Sequence, residues 1–249
     1  MIYVNGDSWS FGMYDENNLQ KLVWPDLLAK ELGHDLINDS IGCSSNSRIL
    51  SSTENFYIKG GTPQLIILAL TGHNRIHIPG PGLSHWNISS RMILNDSIGI
   101  LNEVSNQKIC DWFVKNSYDE LDSVYRYYRT VWNLHNICQK FNCMSMMFQA
   151  WDEELQSFKL LDDSTSIEDF VYAKANKDWV NDNMIHRYIS GFKFFRKESK
   201  NWNMIGPTFR TVLSTDDYDN TGHPNENGHR LISQFVLQYI NNQNLRKWL

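Results

Sequence analysis

The stretch Val4-Asn5-Gly6-Asp7-Ser8-Trp9-Ser10 is predicted to end a first strand and to place a serine at its carboxyl end. The chain changes there from strand-forming residues to small and polar ones. Gly6 allows a tight turn because it has no Cβ atom. Ser8 then lies where a loop or a helix start offers backbone N–H groups to an anion. A serine nucleophile needs such donors beside its hydroxyl, although the tripeptide alone also fits an ordinary turn with a capping serine.

The composition of the whole chain restricts the class of protein. A length of 249 residues suits one α/β domain, and the net charge of −5 gives no basic surplus for nucleic acid or for a membrane surface. The four cysteines form no Cys-x-x-Cys pair, which favours free thiols in a reducing compartment. The N-terminus has no segment typical of a secretion signal, and no apolar run reaches membrane-spanning length, so we expect a cytoplasmic protein. The oligomeric state stays open.

Strand and helix patterns alternate along the chain. Gln64 to Leu70 is the strongest strand, since it is continuously apolar, as in a central parallel strand covered on both faces. The other predicted elements are a helix from Trp24 to Gly33, a strand from His34 to Asn38, a helix from about Ser47 to Ile58, a helix from Asp119 to Asn142, a strand from Cys143 to Ala150 and a helix from Glu226 to Asn241. This alternation predicts an α/β fold with a parallel sheet.

Two segments interrupt the alternation. Residues from about 77 to 117 are predicted to be irregular, because Pro79-Gly80-Pro81-Gly82 breaks any regular element, and residues 151 to 204 are predicted to form short helices. A segment as long as the first is too long for a plain connection and suggests a functional loop or lid. We therefore predict a single domain over residues 1–249 with irregular insertions at about 77–117 and 151–204.

Polar residues follow three predicted strands directly. Ser8, Gly42 and Asn74 each come just after a strand, and parallel sheets bind ligands at the carboxyl ends of their strands. His223 precedes the last helix and reaches the same edge if that helix packs back on the sheet. Acyl transfer needs a hydroxyl, a base and donors for the oxyanion, and these four segments supply all three.

Four blocks of the chain together resemble the SGNH, or GDSL-type, hydrolases. The blocks are Gly6-Asp7-Ser8 with Ser10, Gly42 after Asn38, Gly72-His73-Asn74, and His223-Pro224, and they occur in the family's order across nearly the whole chain. The resemblance implies a flavodoxin-like three-layer α/β/α sandwich with a parallel central sheet. It also implies Ser8 as the nucleophile, His223 as the general base, and an oxyanion hole from the N–H groups of Ser8 and Gly42 and the amide of Asn74. No metal and no organic cofactor is implied.

The chain departs from the family pattern at two positions. Arg75 stands where the third block usually has an aspartate, and Asn220 stands where the family's catalytic acid usually precedes the histidine by three residues. Asp219, one residue earlier, is the candidate that we expect on Nδ1 of His223, with Asp216 and Asp217 as alternatives. If none reaches the ring, a Ser–His dyad remains. His73, His77 and His85 lack the spacing of a zinc helix, so we expect no metal site.

The predicted function is hydrolysis or transfer of an acyl group by a serine esterase. The expected substrate is an acylated carbohydrate or another small ester, and the aromatic residues of the insertions slightly favour a glycan. The alternative is a binding module that kept the fold without catalysis, for example one that recognises polysaccharide. Asn220 in place of the acid is the feature that supports this alternative.

Overall fold

A computed structural model describes residues 1–11, 22–42, 44–72, 75–79, 85–89, 120–150, 160, 164–175, 180–200, 208–243 and 249. The strands are β1 (Ile2–Asn5), β2 (Leu36–Asn38), β3 (Leu65–Leu70), β4 (Arg75–Pro79), β5 (His85–Ser89) and β6 (Met144–Gln149). The helices are α1 (Ser8–Phe11), α2 (Trp24–Leu32), α3 (Asn46–Ile58), α4 (Glu120–Lys140), α5 (Ile167–Lys174), α6 (Asp182–Ser199) and α7 (Glu226–Asn242), and two 3₁₀ turns cover Phe209–Val212 and Thr215–Asp217.

Four strands form a parallel sheet in the order β2-β1-β3-β6. In this register Ile2 of β1 lies between Leu36 of β2 and Leu65 of β3. All six residues of β3 are buried, as its continuously apolar sequence predicts for a strand covered on both faces. The predicted α/β class and its parallel sheet are confirmed.

Both faces of the sheet are covered by side chains from the helices. On one face, Trp24 and Leu28 of α2 and Ile232 and Val236 of α7 join a single buried cluster with alternate residues of the strands. On the other face, Tyr3 stacks on Phe56 of α3 with 4.2 Å between the ring centroids. Burial of these large side chains is the main stabilising contribution to such a layered fold.

The ends of the elements differ from the predicted ones by one or two residues. Helix α2 ends at Leu32, one residue before the predicted end, and Gly33 follows it with a φ of 70°, the left-handed conformation that suits glycine after a helix. Helix α3 begins at Asn46, one residue before the predicted start, because the Ser45 side chain caps it by accepting a 3.3 Å hydrogen bond from the N–H of Arg48. Strand β2 covers three of the five predicted residues.

The chain divides into two compact units. The first contains Met1–Gly72, Asn133–Glu153 and Asn203–Leu249, and it includes the parallel sheet. The second contains His73–Trp132 and Glu154–Trp202. Among the described residues no helix is both long and apolar enough to cross a membrane. The prediction of a single domain with insertions stays a prediction.

The second unit contains regular elements where the sequence indicated an irregular segment. Strands β4 and β5 pair antiparallel, with Ile76 opposite Ile88 and Pro79 opposite His85. The prediction of irregular structure was wrong there because the break at Pro79-Gly80-Pro81-Gly82 was extended to its flanks. The flanking sequence Arg75-Ile76-His77-Ile78 alternates polar and β-branched residues, which is the period of a strand. Residues 90–117 lie outside the described part of the chain.

The segment from 151 to 204 holds one long helix instead of only short ones. Helix α6 has 18 residues, and Tyr188, Phe192 and Phe195 are buried along one side of it. All three rings lie within 5.3 to 5.6 Å of the ring of Tyr125 on α4, measured between centroids. This aromatic contact gives α6 the tertiary support that a helix of this length needs in water.

Candidate active site

Ser8 is the first residue of helix α1, directly after the turn that ends β1. The turn requires glycine at position 6, because a Cβ atom there would lie 2.9 Å from Cβ and 3.0 Å from the carbonyl oxygen of Ala69. Asp7 is buried and caps the helix, since its Oδ1 accepts a 3.0 Å hydrogen bond from the N–H of Trp9. Gly6 and Asp7 thus hold the half-buried Ser8 at the carboxyl edge of the sheet.

His223 lies in a closed loop between the second 3₁₀ turn and α7. Tyr218 and Pro224 form an antiparallel bridge at the base of this loop, and the N–H of Asp219 donates to the carbonyl of His223 at 2.8 Å. Gly222 has a φ of 79°, a left-handed conformation that lets the chain turn back just before the histidine. The backbone therefore fixes the position of the imidazole ring.

The structure brings Ser8 and His223 together although they are 215 residues apart in the sequence. The distance between Oγ of Ser8 and Nε2 of His223 is 2.9 Å, a hydrogen bond. The neighbouring residues also meet, since Trp9 packs edge-on against Tyr218 with 5.9 Å between centroids. This is the geometry that a nucleophile and its general base require.

The other ring nitrogen of His223 contacts a residue that the sequence analysis did not select. Nδ1 lies 2.8 Å from Oγ1 of Thr221, and that oxygen lies 2.6 Å from Oδ1 of Asp219. The expected hydrogen bond from Nδ1 directly to the Asp219 carboxylate is therefore replaced by one through the Thr221 hydroxyl. The physical reason is the loop, which turns the carboxylate toward the backbone instead of toward the ring.

Three donors converge on one oxygen of Asp219. Besides the hydroxyl of Thr221, the N–H of Thr221 donates to Oδ1 at 2.8 Å and the N–H of His223 donates to it at 3.0 Å. Partial burial opposes ionisation of this carboxyl, but these hydrogen bonds and the nearby His223 outweigh it and lower the pKa of Asp219 below its usual value. Asp219 is therefore a carboxylate at neutral pH.

The two alternative acids have other partners. Asp217 is buried and accepts hydrogen bonds from the N–H and the hydroxyl of Ser214, each at 2.7 Å, and from the amide of Asn227. These donors lower the pKa of Asp217 below its usual value. The exposed Asp216 accepts a 2.8 Å hydrogen bond from Asn225 through its backbone carbonyl. Both residues support the segment before α7, and no hydrogen bond described for either one involves the His223 ring.

Gly42 lies in the turn after β2, beside the Ser8 segment. The N–H of Ile41 donates to the carbonyl of Gly6 at 3.2 Å, and the amide of Asn38 donates to the carbonyl of Ser10 at 2.7 Å. Across the described part of the chain, none of the hydrogen bonds uses the N–H of Ser8 or of Gly42. Both groups are therefore suited to donate to a ligand at this edge of the sheet.

Asn74 and His73 lie outside the described residues, so the predicted oxyanion donor at position 74 stays a prediction. The end of β3 that leads to it is held firmly. The amide of Asn46 donates to the carbonyl of Thr71 at 2.7 Å and accepts from the N–H of Thr71 at 2.9 Å. Where side chains are described, no group of three metal-ligating residues occurs.

The sequence contains a signal for the position of Thr221. Asp219-x-Thr221 is a pattern in which an aspartate side chain accepts from the backbone two residues later and turns the chain. Such a turn directs the aspartate toward its own loop, which makes the threonine hydroxyl the nearest group to the histidine. The pattern Asp219-x-Thr221 therefore predicts a local turn that brings Thr221 into the same loop segment as His223.

Solved structures match the chain along almost its entire length. A psychrotrophic esterase from Pseudoalteromonas sp. has 14% sequence identity and a TM-score of 0.50, and the match covers 97% of each chain. An acetyl xylan esterase from the rumen bacterium Butyrivibrio proteoclasticus has 11% identity and a TM-score of 0.51, and the match covers 100% of this chain and 64% of that one. A member of the lipolytic G-D-S-L family from Veillonella parvula has 14% identity and a TM-score of 0.47, with 95% of this chain and 96% of that chain covered.

No protein-family model and no curated protein matches the sequence. The likeness therefore rests on the three-dimensional structure. Sequence identities of 11 to 14% show a shared fold and not a shared activity. The chain has the fold of the SGNH, or GDSL-type, hydrolases.

Proposed function

We propose that the protein is a serine ester hydrolase with Ser8 as the nucleophile and His223 as the general base. The observation that carries this proposal is the 2.9 Å distance between Oγ of Ser8 and Nε2 of His223. Such a contact across 215 residues, at the carboxyl edge of a parallel sheet, has no role in packing the core. It is the arrangement by which proteins of unrelated folds activate a serine.

The proposed reaction has two steps. His223 takes the proton of Ser8 while Oγ attacks the acyl carbon, and the imidazolium then gives that proton to the departing alcohol. Water attacks the acyl-serine in the second step while His223 accepts one of its protons, and that proton returns to Oγ of Ser8 as the acid leaves. If another alcohol replaces water, the same sequence transfers the acyl group.

The developing oxyanion needs donors on the side of Ser8 away from His223. The N–H groups of Ser8 and Gly42 and the amide of Asn74 are the proposed donors. The N–H of Ser8 is suited to this role, because none of the hydrogen bonds in the described part of the chain uses it. Removal of one such donor typically costs about 3 kcal/mol of transition-state stabilisation.

We propose acylated carbohydrates and other small esters as the substrate class. An acetyl xylan esterase among the proteins with this fold supports a carbohydrate ester. The net charge of −5 gives no attraction for nucleic acid or an anionic membrane. The mechanism needs neither a metal nor an organic cofactor, because the serine and histidine supply the nucleophile and the proton transfers.

A fluorophosphonate probe and p-nitrophenyl acetate test the proposal together. We expect the wild-type protein to be labelled at Ser8 and to hydrolyse the ester, and Ser8→Ala to lose both properties with an unchanged circular dichroism spectrum. Ser51→Ala is the matched control, because Ser51 is an exposed serine on α3. Labelling that persists in Ser8→Ala would refute Ser8 as the nucleophile.

The substitution of Asn220 for the usual acid favours one other function, a binding module without catalysis. The same assay separates the two, since a binding module would neither be labelled nor turn over any short acyl ester. Binding of polysaccharides by the unlabelled protein would then identify its ligand class.

A further inference from the structure

The hydroxyl of Thr221 lies between the Asp219 carboxylate and the His223 ring. Its oxygen is 2.6 Å from Oδ1 of Asp219 and 2.8 Å from Nδ1 of His223. A hydroxyl has one proton, so it donates in one of these two hydrogen bonds and accepts in the other. The direction of these bonds determines which ring nitrogen carries the proton.

Asp219 determines the direction of the two hydrogen bonds that the Thr221 hydroxyl makes. Its Oδ1 accepts from the N–H groups of Thr221 and His223 at 2.8 and 3.0 Å, so the backbone presents only donors to this oxygen. An ionised carboxylate can only accept. The hydroxyl of Thr221 therefore donates to Asp219, and its oxygen accepts from the N–H at Nδ1 of His223.

The consequence for the ring is a defined tautomer. A neutral imidazole carries one N–H, and with that proton on Nδ1 the lone pair of Nε2 points at the Ser8 hydroxyl, 2.9 Å away. Ser8 then donates to Nε2, as proton abstraction requires. When the ring becomes an imidazolium, Nδ1 still donates to Thr221 and the hydroxyl does not have to rotate. One arrangement thus serves both states of the base.

We propose that Thr221 is a positioning residue, whose hydroxyl links Asp219 to His223 and holds the neutral ring in the Nδ1–H tautomer. This role depends on the proposed function, because it concerns the base of that reaction. The same role explains how the chain manages without an acid at position 220, since the Asp219 carboxylate acts on the His223 ring through the Thr221 hydroxyl. The chain therefore has neither a direct triad nor a plain dyad.

Nitrogen-15 NMR of the histidine side chains tests the tautomer without any substrate. At a pH where the ring signals no longer change, we expect Nδ1 of His223 to carry the proton and Nε2 to have the shift of an unprotonated nitrogen. His223→Gln identifies the signal among those of the eight histidines. In Thr221→Val we expect the proton to be shared between the two nitrogens, since the exposed Nδ1 then meets only water, which donates as readily as it accepts. Thr221→Ser should retain the wild-type pattern.

Kinetics provide the second readout. Valine has nearly the volume of threonine without its hydroxyl, and it leaves less room than alanine for a replacing water. We expect Thr221→Val to lower kcat on p-nitrophenyl acetate by about tenfold to a hundredfold, part of what general-base catalysis contributes, with little change in KM. Thr221→Ser should stay within about threefold of wild type, whereas a purely steric role of the side chain would make valine the better replacement.

The outcomes separate this role from the proposed function. An Nε2–H tautomer in the wild-type protein, or an Nδ1–H tautomer that survives in Thr221→Val, overturns the role of Thr221 whatever the activity. An inactive, unlabelled wild-type protein with the Nδ1–H tautomer overturns the ester hydrolase and leaves the hydrogen-bonded link intact. Circular dichroism and thermal unfolding confirm that each variant is folded, and a folded Thr221→Val variant with unchanged kcat also counts against the role.

Discussion

At the scale of single residues, Asp219 contributes two separable properties to the site. It orients the hydroxyl of Thr221, and it places a negative charge near the His223 ring. Three donors converge on Oδ1, so an asparagine at this position would turn its carbonyl oxygen toward them. The replacement would then keep the orientation and remove only the charge.

We therefore predict that Asp219→Asn lowers kcat by about tenfold, because the imidazolium of the transition state loses a nearby negative charge, worth about 1 to 2 kcal/mol in a loop that is largely in contact with solvent. The Nδ1–H tautomer of His223 should be unchanged by NMR, in contrast to Thr221→Val. Asp216→Asn is the matched control, because the Asp216 side chain is exposed and this residue precedes Tyr218 in the chain, outside the loop that holds His223. Loss of the tautomer in Asp219→Asn would show that the amide presents its nitrogen to Thr221.

At the scale of elements, the loop before α7 depends on the conformation of Gly222. Its φ is 79°, and a Cβ atom at this position would meet nothing within 4 Å. Gly33 has the same properties at the end of α2, with a φ of 70° and open space around it. Gly222 and Gly33 therefore have the same local conformation. They differ in that only Gly222 lies next to His223, the proposed general base.

We predict that Gly222→Ala and Gly33→Ala lower the free energy of unfolding by a similar amount, about 1 to 2 kcal/mol, because each forces alanine into a left-handed conformation. Only Gly222→Ala should lower kcat, by about tenfold or more, since small displacements of a catalytic group are costly. Thermal unfolding and p-nitrophenyl acetate kinetics measure the two effects. Equal kcat values for the two variants would show that the loop tolerates the change without moving His223.

Local patterns in the sequence predicted the elements that carry Ser8 and His223. The continuously apolar β3, the amphipathic α7 and the Gly6 turn are each determined by residues close together in the chain. The Asp219-x-Thr221 pattern predicts the local turn, but the distance from Thr221 to the His223 ring also depends on the path of the backbone at Gly222. The strand pattern of β4 was present but was outweighed by the neighbouring prolines and glycines. Asn74 stays a prediction because it lies outside the described residues.

At the scale of the whole molecule, two carboxyl groups beside the site connect its chemistry with the stability of the fold. The N–H and hydroxyl of Ser214 and the amide of Asn227 lower the pKa of Asp217, and the pKa of Asp219 is also lowered. A carboxyl group with a lower pKa in the folded state stabilises the fold at pH values above its unfolded pKa, near 3.9. That contribution disappears as the pH falls through the lower, folded pKa.

We predict that the unfolding temperature of the wild type falls steeply below about pH 4, and that Asp217→Asn has a lower unfolding temperature at pH 7 and a weaker decline in acid. Calorimetry between pH 3 and 7, a range chosen to span the usual aspartate pKa, measures both profiles. Asp216→Asn serves again as the control and should follow the wild type. Parallel profiles for wild type and Asp217→Asn would contradict the role given to the Ser214 hydrogen bonds.

The separation of 215 residues between Ser8 and His223 also has a consequence for the order of events during synthesis. A ribosome synthesises the proposed nucleophile, Ser8, 215 residues before the proposed base, His223. If Ser8 and His223 have the proposed roles, we expect Ser8 to stay unreactive until the His223 loop and α7 have docked on the sheet. A fluorophosphonate added during refolding would label the chain only after this long-range contact has formed. The rate at which label appears, compared with the recovery of helical circular dichroism, would then time the last step of folding.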